Sequence, residues 1–362
     1  MRIVIAGGGT GGHLFPGVAV AEELRRRCAE TAILFVGTER GLEKKVLGAL
    51  GFPLSTLDIE GIKGRGLMRA CRALAKLPGS LCQSLHLVRS FRPDVVLGVG
   101  GYASGPAVLA ARILGVKTAI AEQNALPGLT NRLLGHIVDM IFVTFPETAA
   151  YFPDRRVQVT GNPIRRAFAC AGAVAPSQEG TTDFHILVFG GSQGAQALNR
   201  AVPAALPELA EIAARLVIVH QAGERDYEHV RAQYSAAGVR AEVLPFIMDM
   251  ATRFAWADLL ICRAGATTIA EITAGGKAAI LIPFPYAVAD HQRKNAEVLT
   301  RAGAAILIPE CDLNGSSLAQ AILELARDPL RLRQMAERAR SLGHPQAAAT
   351  IADACTALAG KD

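Results

Sequence analysis

Short apolar runs recur along the chain and alternate with longer segments of helical length. In the first half these runs predict strands at 2–6, 32–36, 94–98, 117–121, 139–143 and 156–159. In the second half they predict strands at 185–189, 215–220, 240–244, 258–262, 278–282 and 304–308. Helices are expected between most strands, with a long one at 194–212 and an Ala-rich one at 344–360. This alternation is typical of parallel sheets covered by helices on both faces.

Two glycine-rich turns stand in the same setting in the two halves. GGGTGGH, residues 7–13, follows the first strand, and GGSQGA, residues 190–195, follows the first strand of the second half. A strand that ends in glycines and opens a helix presents backbone N–H groups at a positive helix end, which suits phosphate. Matching βαβ units then begin at DVVLGVGG (94–101) and DLLICRAG (258–265). The duplication predicts an α/β fold with two Rossmann-like domains whose parallel sheets face each other across a cleft.

Length and composition agree with two domains. We expect an N-terminal domain at 1–162, a C-terminal domain at 163–343, and a final helix at 344–362 that packs back on the N-terminal domain. Residues 171–183 are polar and rich in Gly and Pro, which suits a linker. Hydrophobic residues make up 51% of the chain but aromatic residues only 5%, as in Ala- and Val-rich layers. The seven cysteines show no paired spacing and are expected to be free thiols in a reducing compartment.

Positive charge is concentrated between residues 60 and 92, although the net charge is only +6. One acid, Glu60, stands there against seven bases, Lys63, Arg65, Arg69, Arg72, Lys76, Arg89 and Arg92. Bases interleaved with leucines are typical of a helix on an anionic membrane surface, with Arg69, Arg72 and Lys76 as its contacts. A surface helix whose leucines face the core gives the same pattern. Phe91 is the one aromatic residue of the stretch, too few for base stacking, so nucleic acid is not expected as a partner.

The first glycine loop permits two interpretations. Gly7, Gly9 and Gly12 fit the dinucleotide pattern G-x-G-x-x-G, with Glu39 after the second strand as its acid. The loop ends, however, in His13. A helix N-terminus disfavours an imidazolium, so a neutral ring able to accept a proton is expected there. A structural histidine packed under the loop is the alternative.

Polar residues follow two consecutive strands of the second half. Arg263 comes directly after the strand 258–262, at the edge where α/β sheets bind ligands. Glu271 lies farther along the next helix, where it would accept a hydrogen bond from a ribose diol. His291 and Gln292 follow the strand 278–282. The helix start offers N–H and hydroxyl donors for a diphosphate at Ala266, Thr267 and Thr268. For that segment alone, a capped helix with a surface glutamate is the alternative.

A series of motifs resembles, in order from Gly7 to about Ala296, that of the MurG family of bacterial N-acetylglucosaminyltransferases. The motifs are GGGTGGH, GGYASGP, EQNALPG, GNPIR, GGSQGA, CRAGATTIAE and DHQRKNA. The resemblance implies the GT-B architecture and inverting transfer of GlcNAc from UDP-GlcNAc to the MurNAc 4-hydroxyl of lipid I, which gives lipid II for peptidoglycan. It implies donor contacts on Thr10, Gly11, Gly12, Asn124, Arg165, Ser192, Ile247, Ala266, Thr267, Thr268, Ile269, Ala270, Glu271 and Gln292. It implies an acceptor side with His13, Tyr102 and Glu122. Ala264 departs from the serine expected in some relatives.

Partners and cofactors follow from the same resemblance. We expect UDP-GlcNAc, undecaprenyl-linked lipid I, an anionic membrane surface and other cell-wall synthesis proteins as partners, at the cytoplasmic face of the cell membrane. The chain has no DxD motif or His/Cys/Asp cluster, so no metal or other cofactor is expected. Arg165, Arg263 and the glycine loops would neutralise the leaving diphosphate instead. His13 is the first candidate for the base that deprotonates the acceptor, and Glu122 is the second.

Three other classes of function stay open from the sequence. A different GT-B enzyme, such as a sugar-nucleotide epimerase or a glycolipid synthase, would share the domain plan. An NAD-dependent oxidoreductase would explain the first glycine loop but not the second loop, Arg263 or Glu271. A non-catalytic nucleotide-binding or membrane-scaffold protein would need no base, so the loss of His13 would leave its function intact.

Overall fold

The structure is a computed structural model that describes residues 1–8, 11–38, 43–59, 66–153, 156–171, 183–191, 194–287 and 290–360. Within residues 45, 66–75 and 169–171 it describes the backbone only. The chain divides into two compact units. The first unit consists of Met1–Arg165 and His344–Asp362, and the second of Arg166–Gly343.

The first unit is built on a parallel sheet of seven strands. They are β1 (Arg2–Ala6), β2 (Ala32–Thr38), β3 (Leu54–Leu57), β4 (Val95–Gly98), β5 (Lys117–Glu122), β6 (Met140–Val143) and β7 (Val157–Val159). Their order in the sheet is β3-β2-β1-β4-β5-β6-β7. The order reverses between β1 and β4, which pair in parallel with Ile3 opposite Val95. Loops leave such a switch point toward opposite sides of the sheet and open a crevice at its carboxyl edge.

Between β1 and β7 the described residues form five helices and a short 3-10 helix at Pro146–Tyr151. The five are α1 (Gly11–Arg27), α2 (Glu43–Ala49), α3 (Gly66–Phe91), α4 (Ser104–Ile113) and α5 (Leu129–Leu134). Successive side chains of β1 enter different cores, because strand residues point alternately to the two faces of a sheet. Ile3 and Ile5 join the core beneath α1. Val4 and Ala6 join the core on the α4 side.

The second unit repeats this plan with six parallel strands. They are β8 (Phe184–Phe189), β9 (Leu216–Gln221), β10 (Arg240–Leu244), β11 (Leu259–Cys262), β12 (Ala278–Leu281) and β13 (Ala305–Leu307). Their order is β10-β9-β8-β11-β12-β13, so the switch point lies between β8 and β11. All residues of β11 and β12 are buried, as expected for central strands covered on both faces.

The remaining helices follow in chain order, with a 3-10 helix at Leu206–Ile212 between α7 and β9. They are α6 (Arg166–Ala171), α7 (Gln196–Ala205), α8 (Tyr227–Ala237), α9 (Met250–Trp256), α10 (Ala266–Gly275), α11 (His291–Arg301), α12 (Gly315–Arg327), α13 (Pro329–Ser341) and α14 (Ala347–Leu358).

The last helix, α14, belongs to the first unit and packs against α1. Ile351, Ala352 and Cys355 are fully buried in the core beneath α1. Arg27 of α1 forms an ion pair with Asp353 across the two helices. The end of the chain is therefore a structural part of the unit that the start of the chain builds.

The predicted fold class, α/β with two Rossmann-like domains, is confirmed. Every predicted strand is present, with bounds that differ by at most two residues. The sequence analysis did not identify β3 or α2. β3 is a short edge strand with two polar residues, Ser55 and Thr56, in its middle, and only Leu57 of its four residues is buried. The five cysteines with described side chains are free thiols.

The helix predicted at 194–212 was wrong as a single element. Two helices, α7 and the 3-10 helix at Leu206–Ile212, occupy that span. Pro207 stands in the first turn of the 3-10 helix. Proline has no N–H to continue an α-helical ladder, so the α-helical hydrogen bonding of α7 does not continue through Leu206–Ile212. The predicted linker lies almost wholly outside the described residues.

Candidate active site

The loops after β1 and β4 touch backbone to backbone at the first switch point. A Cβ on Gly7 would lie 2.4 Å from Cγ2 of Val99. Gly101 has a φ of +80°, and a Cβ there would lie 2.3 Å from the carbonyl oxygen of Gly8. Only glycine allows this approach. Thr10 lies outside the described residues, as do Gly9 and Glu39 of the dinucleotide interpretation.

His13 lies beside this junction, in the first turn of α1 after Gly11 and Gly12. The ring is half-exposed, and its Nδ1 is 3.2 Å from Oε1 of Gln123, which follows β5. Gly100, with a φ of +86°, covers the ring edge, since a Cβ there would lie 2.6 Å from Nδ1. The histidine is thus held between a glycine turn and a buried amide.

Glu122, the last residue of β5, is only 3% exposed. Its Oε1 accepts hydrogen bonds from the backbone N–H and the Nδ2 of Asn124, at 3.0 and 3.2 Å. Its Oε2 accepts from the backbone N–H of Gly128 at 3.0 Å and from Nδ2 of Asn131 at 2.9 Å. Four donors match the acceptor capacity of a carboxylate. This carboxylate fixes the loop EQNALPG and the orientation of Asn124.

Two further predicted residues lie in the same unit. Tyr102 is 45% exposed, at the turn after β4. Arg165 lies over the ring of Phe15, with its guanidinium carbon 4.8 Å from the ring centroid. Burial raises the pKa of Glu22 on α1, and the positive charge of Arg165 partly offsets that rise. The Arg165 guanidinium is therefore held against α1.

The second glycine loop, after β8, is as tight as the first. Gly194 has a φ of +74°, and a Cβ there would lie 2.0 Å from the carbonyl oxygen of Ala222. A Cβ on Gly190 would lie 2.2 Å from the Cβ of Ala195. The loop is thus closed against the turn that follows β9. Ser192 lies outside the described residues.

A buried glutamine at the end of β9 joins this loop to the segment after β10. Nε2 of Gln221 donates to the carbonyl oxygen of Gly191 at 2.6 Å. Its Oε1 accepts from the backbone N–H of Ile247 at 2.9 Å. Gln221 and Ile247 are each 2% exposed. One amide therefore fixes two backbone segments that the sequence assigns to the same ligand.

His220, next to Gln221, anchors the other side of the turn. Its Nε2 is 3.1 Å from Oδ1 of Asn199, and its Nδ1 is 3.0 Å from the hydroxyl of Tyr234. Nδ2 of Asn199 donates to the carbonyl oxygen of Ala222 at 2.8 Å. Complete burial lowers the pKa of His220 to about 3, so the ring is neutral. This network is structural, because it holds the carbonyl group against which Gly194 packs.

Arg263 follows β11 and contacts residues of its own unit. Its Nη1 donates to the carbonyl oxygens of Ile282 and Pro283 at 3.1 and 3.2 Å. Its Nη2 lies 2.6 Å from Oε2 of Glu310, and the side chain is 11% exposed. These contacts brace the turn after β12, and the carboxylate of Glu310 balances the positive charge of the guanidinium.

The N-terminus of α10 opens directly after Arg263. Gly265 precedes it in an extended conformation and, as a glycine, has no side chain of its own to cap the first N–H groups. The backbone of Ala266, Thr267 and Thr268 thus forms the first turn. Ile269 and Ala270 are buried behind it, and Glu271 is 8% exposed.

Gln292, at the start of α11, follows the turn after β12 and lies at the same edge of the sheet. Its Oε1 accepts from the backbone N–H of Phe284 at 2.9 Å, which fixes the direction of the amide. Asn295, fully buried one turn farther on α11, donates to the carbonyl oxygen of Ala264 at 3.3 Å. The turns after β11 and β12 are thereby tied together.

The basic stretch between residues 60 and 92 packs partly on the first unit. Lys76 forms an ion pair with Asp58 at 2.8 Å, whereas the side chains of Arg69 and Arg72 lie outside the described part. Leu77 and Leu87 pack against the core of the first unit, as the alternative interpretation expects. Within the described ranges, no helix combines the length and the apolar character needed to cross a membrane.

No three His, Cys, Asp or Glu side chains among the residues with described positions form a group that would hold a metal ion.

The sequence analysis missed the buried amides Gln123, Gln221, Asn199 and Asn295. A usable signal was present for three of them. Gln123 and Asn295 stand inside the quoted motifs EQNALPG and DHQRKNA, and Gln221 directly follows a predicted strand at 215–220. Polar residues at the carboxyl end of a parallel strand lie where α/β sheets bind ligands, which is the reason Arg263 was predicted as a site residue.

Two Rossmann-like domains with glycine loops at their switch points define a chain of the GT-B class. The model of the glycosyltransferase family 28 N-terminal domain matches residues 3–143, and that of the C-terminal domain matches residues 185–351. The chain belongs to glycosyltransferase family 28, which confirms the resemblance inferred from the motifs.

The chain aligns with its relatives over almost its full length. A protein of Syntrophus aciditrophicus is 60% identical over 99% of both chains. It is named UDP-N-acetylglucosamine–N-acetylmuramyl-(pentapeptide) pyrophosphoryl-undecaprenol N-acetylglucosamine transferase. The crystal structure of Acinetobacter baumannii MurG has a TM-score of 0.79 and 33% identity, and covers 98% of this chain and 99% of that one. A UDP-GlcNAc 2-epimerase of Neisseria meningitidis has a TM-score of 0.69 at 14% identity over 98% and 99% of the chains, a likeness of fold alone.

Proposed function

We propose that this chain is an inverting N-acetylglucosaminyltransferase. It moves GlcNAc from UDP-GlcNAc to the 4-hydroxyl of the MurNAc of undecaprenyl-linked lipid I and so forms lipid II for peptidoglycan. The observation that carries the proposal is the 60% identity, over 99% of both chains, to a relative named for this transfer. We assign the donor to the domain at 163–343 and the acceptor to the domain at 1–162.

The donor site that we propose uses the carboxyl edge of the second sheet. Glu271 accepts hydrogen bonds from the ribose hydroxyls, and the first turn of α10 donates its N–H groups to the diphosphate. Ser192, Thr10, Gly11, Gly12 and Asn124 complete the donor contacts. The amide of Gln292 is turned so that its oxygen is already bound to Phe284 N–H, which leaves its NH2 group to donate to a sugar hydroxyl.

The uracil lies against Ile247 in this proposal. Its backbone N–H already donates to Gln221, so we assign the carbonyl oxygen of Ile247 to the N3–H of the base. Because uracil has an N–H at that position and cytosine has none, this single acceptor favours UDP over CDP.

The transfer step needs one base. His13 takes the proton from the acceptor hydroxyl while the hydroxyl oxygen bonds to C1 of GlcNAc and the bond from C1 to the phosphate oxygen breaks. UDP leaves with the electron pair of that bond. Tyr102 lies on the acceptor side. We give Glu122 a holding role, because its four hydrogen bonds already engage its lone pairs.

The charge of the leaving UDP is stabilised by fixed positive groups. Arg165 and the helix N-termini donate to the diphosphate, and Arg263, whose charge is paired with Glu310, braces the turn after β12 behind them. We propose that no metal is required. A chelator should leave the initial rate unchanged, and restoration of a lost rate by Mg²⁺ or Mn²⁺ would refute this part.

Membrane attachment is peripheral in this proposal, on the cytoplasmic face. The bases of 63–92 meet anionic lipid headgroups. α4 packs against both α3 and α5, and α4 and α5 expose apolar side chains. Ile113 is 58% exposed, Leu129 58% and Leu133 64%, beside the bases Arg112 and Arg132. Such a surface also suits other cell-wall synthesis proteins as partners.

The direct test is transfer of labelled GlcNAc from UDP-GlcNAc to lipid I in detergent, with lipid II as the measured product. The same reaction is analysed for the 2-epimer of the donor, which an epimerase would release. Thermal-shift measurements with UDP, UDP-GlcNAc, UDP-GalNAc, GDP-mannose and NAD give the ligand class. Equal stabilisation by NAD and UDP, or epimer without lipid II, would refute the proposal.

The base is tested by kinetics of His13→Ala. We expect kcat to fall about 10²–10⁴-fold with nearly unchanged UDP affinity. Glu122→Ala should loosen its loop and do less to kcat. A variant at His13 that keeps its kcat and only raises the acceptor KM would show that the histidine positions the substrate.

A further inference from the structure

The amide of Gln123 is bound at both ends and almost completely buried, with 1% exposure. Its Nε2 donates to the carbonyl oxygens of Val99 at 3.2 Å and Ala121 at 3.1 Å. Its Oε1 faces Nδ1 of His13 at 3.2 Å. The two carbonyl groups come from the turn after β4 and from β5 itself, so two neighbouring strands fix the amide.

The direction of this amide follows from its partners. Backbone carbonyl oxygens only accept hydrogen bonds, so the end that faces both Val99 and Ala121 must be the NH2 group. A reversed amide would set its oxygen against two other oxygens. The oxygen of Gln123 therefore faces His13.

The proton on the imidazole then has a defined position. An amide oxygen cannot donate, so the nitrogen that faces it, Nδ1, must carry the hydrogen. In a neutral ring the lone pair then belongs to Nε2. With the opposite tautomer, two lone pairs would meet at 3.2 Å inside a site that Gly100 covers.

We propose that Gln123 is a positioning residue that holds His13 in its Nδ1–H tautomer and so gives Nε2 the role of proton acceptor. The functional half of this inference rests on the proposed role of His13 in transfer. The geometry resembles that of a catalytic triad, where the residue behind the histidine fixes its tautomer. Here the partner is a neutral amide, which orients the ring without adding a negative charge.

The first test is spectroscopic and needs no substrate. Two-bond ¹H–¹⁵N spectra of the full chain labelled with ¹⁵N-histidine distinguish protonated from unprotonated ring nitrogens. The His13 signals are assigned by their loss in His13→Asn. We expect a protonated Nδ1 and an unprotonated Nε2 in the neutral ring. A protonated Nε2 would overturn the inference whether or not the chain transfers GlcNAc.

The second test is kinetic and uses Gln123→Met, which keeps the length of the side chain and removes its acceptor. We expect kcat to fall at least about tenfold, and no more than the loss of a general base costs, about 10²–10⁴-fold. The KM for UDP-GlcNAc should stay the same. Gln233→Met on α8, outside the proposed site, serves as the matched control and should leave both constants unchanged.

His13 and Gln123 should also act as a unit. In the background of His13→Ala, adding Gln123→Met should lower kcat no further, because the group that Gln123 orients is already gone. A full additional loss would show a structural role and overturn the inference, as would an unchanged kcat of the single variant. If Gln123→Met fails to fold, the wild-type spectrum still decides the tautomer. If His13→Ala alone transfers normally, the proposed base fails while the tautomer result stands.

Discussion

A single methyl group on the second glycine loop should disable the donor site. Gly194 has a φ of +74°, and a Cβ there would lie 2.0 Å from the carbonyl oxygen of Ala222. We predict that Gly194→Ala lowers both the stability of the second unit and the kcat/KM for UDP-GlcNAc. The loop lies at the switch point, so any shift of its backbone moves the N–H groups that we assign to the diphosphate.

Two effects add in this variant. Alanine in a left-handed conformation costs about 1–2 kcal/mol. The collision adds to this, because ordinary contact begins near 3.4 Å and the two atoms start at 2.0 Å, so they must separate by more than 1 Å. The backbone of Ala222 is held at both ends, which prevents its carbonyl from rotating away. Asn199 donates to the carbonyl oxygen of Ala222, and the N–H of Ala222 donates to the carbonyl oxygen of Leu244. A misplacement of about 1 Å costs about 10²-fold in rate, which is the fall in kcat/KM that we expect.

Gly238 offers a matched control. It ends α8 with a φ of +64°, and a Cβ there would meet no atom within 4 Å. Gly238→Ala therefore carries the conformational cost without the collision. Urea unfolding of both variants, with initial rates over a range of UDP-GlcNAc concentrations, separates the two effects. Equal destabilisation by both variants, together with an unchanged kcat/KM for Gly194→Ala, would refute the reasoning.

Three further predictions concern other parts of the chain. Glu271→Ala should weaken UDP binding by about 1.5–3 kcal/mol through loss of a hydrogen bond to a charged group, and an unchanged Kd in calorimetric titration would contradict the ribose assignment. His220 has its pKa lowered by burial from 6.5 to about 3, so its contribution to stability is complete above pH 6.5 and is lost as the pH falls toward 3. The slope is up to about 1.4 kcal/mol per pH unit, and urea unfolding between pH 7 and 5 should show a flatter dependence for His220→Gln; an equal slope would exclude the histidine as the cause. Replacing Arg69, Arg72 and Lys76 with Glu should release the protein from anionic vesicles at moderate salt, since each base contributes about 1 kcal/mol; unchanged partition would show that these bases are incidental.

The sequence predicted the strands and the glycine loops because both depend on local properties. The runs VVLG and LLIC are buried on both faces and are apolar throughout, whereas β3 at the sheet edge carries Ser55 and Thr56 and gave no such signal. Glycine loops are equally local, because their close approaches require glycine itself. Both domains were therefore predictable from pattern alone.

The partners of the polar side chains were not predictable in this way. Arg263 was assigned to the diphosphate because only its position after a strand was known. Its ion-pair partner, Glu310, comes from a distant turn beyond β13. Gln123 was not predicted as a site residue, because the role of an amide depends on the groups that face it in the folded chain. One of these groups, the carbonyl of Val99, is 24 residues away in the sequence. Which groups face each other across a switch point depends on the folded register, which no local pattern contains.

The return of α14 to the first unit has a consequence for biosynthesis. Domains usually fold as they emerge from the ribosome, at about 5–20 residues per second, and the N-terminal one folds first. Here the first unit takes its last helix, α14, from Ala347–Leu358, so it waits for the whole of Arg166–Gly343 to be translated, roughly 10–40 s. During that interval the face of α1 that α14 covers is exposed to solvent and chaperones. A nascent chain should thus complete its second domain before its first.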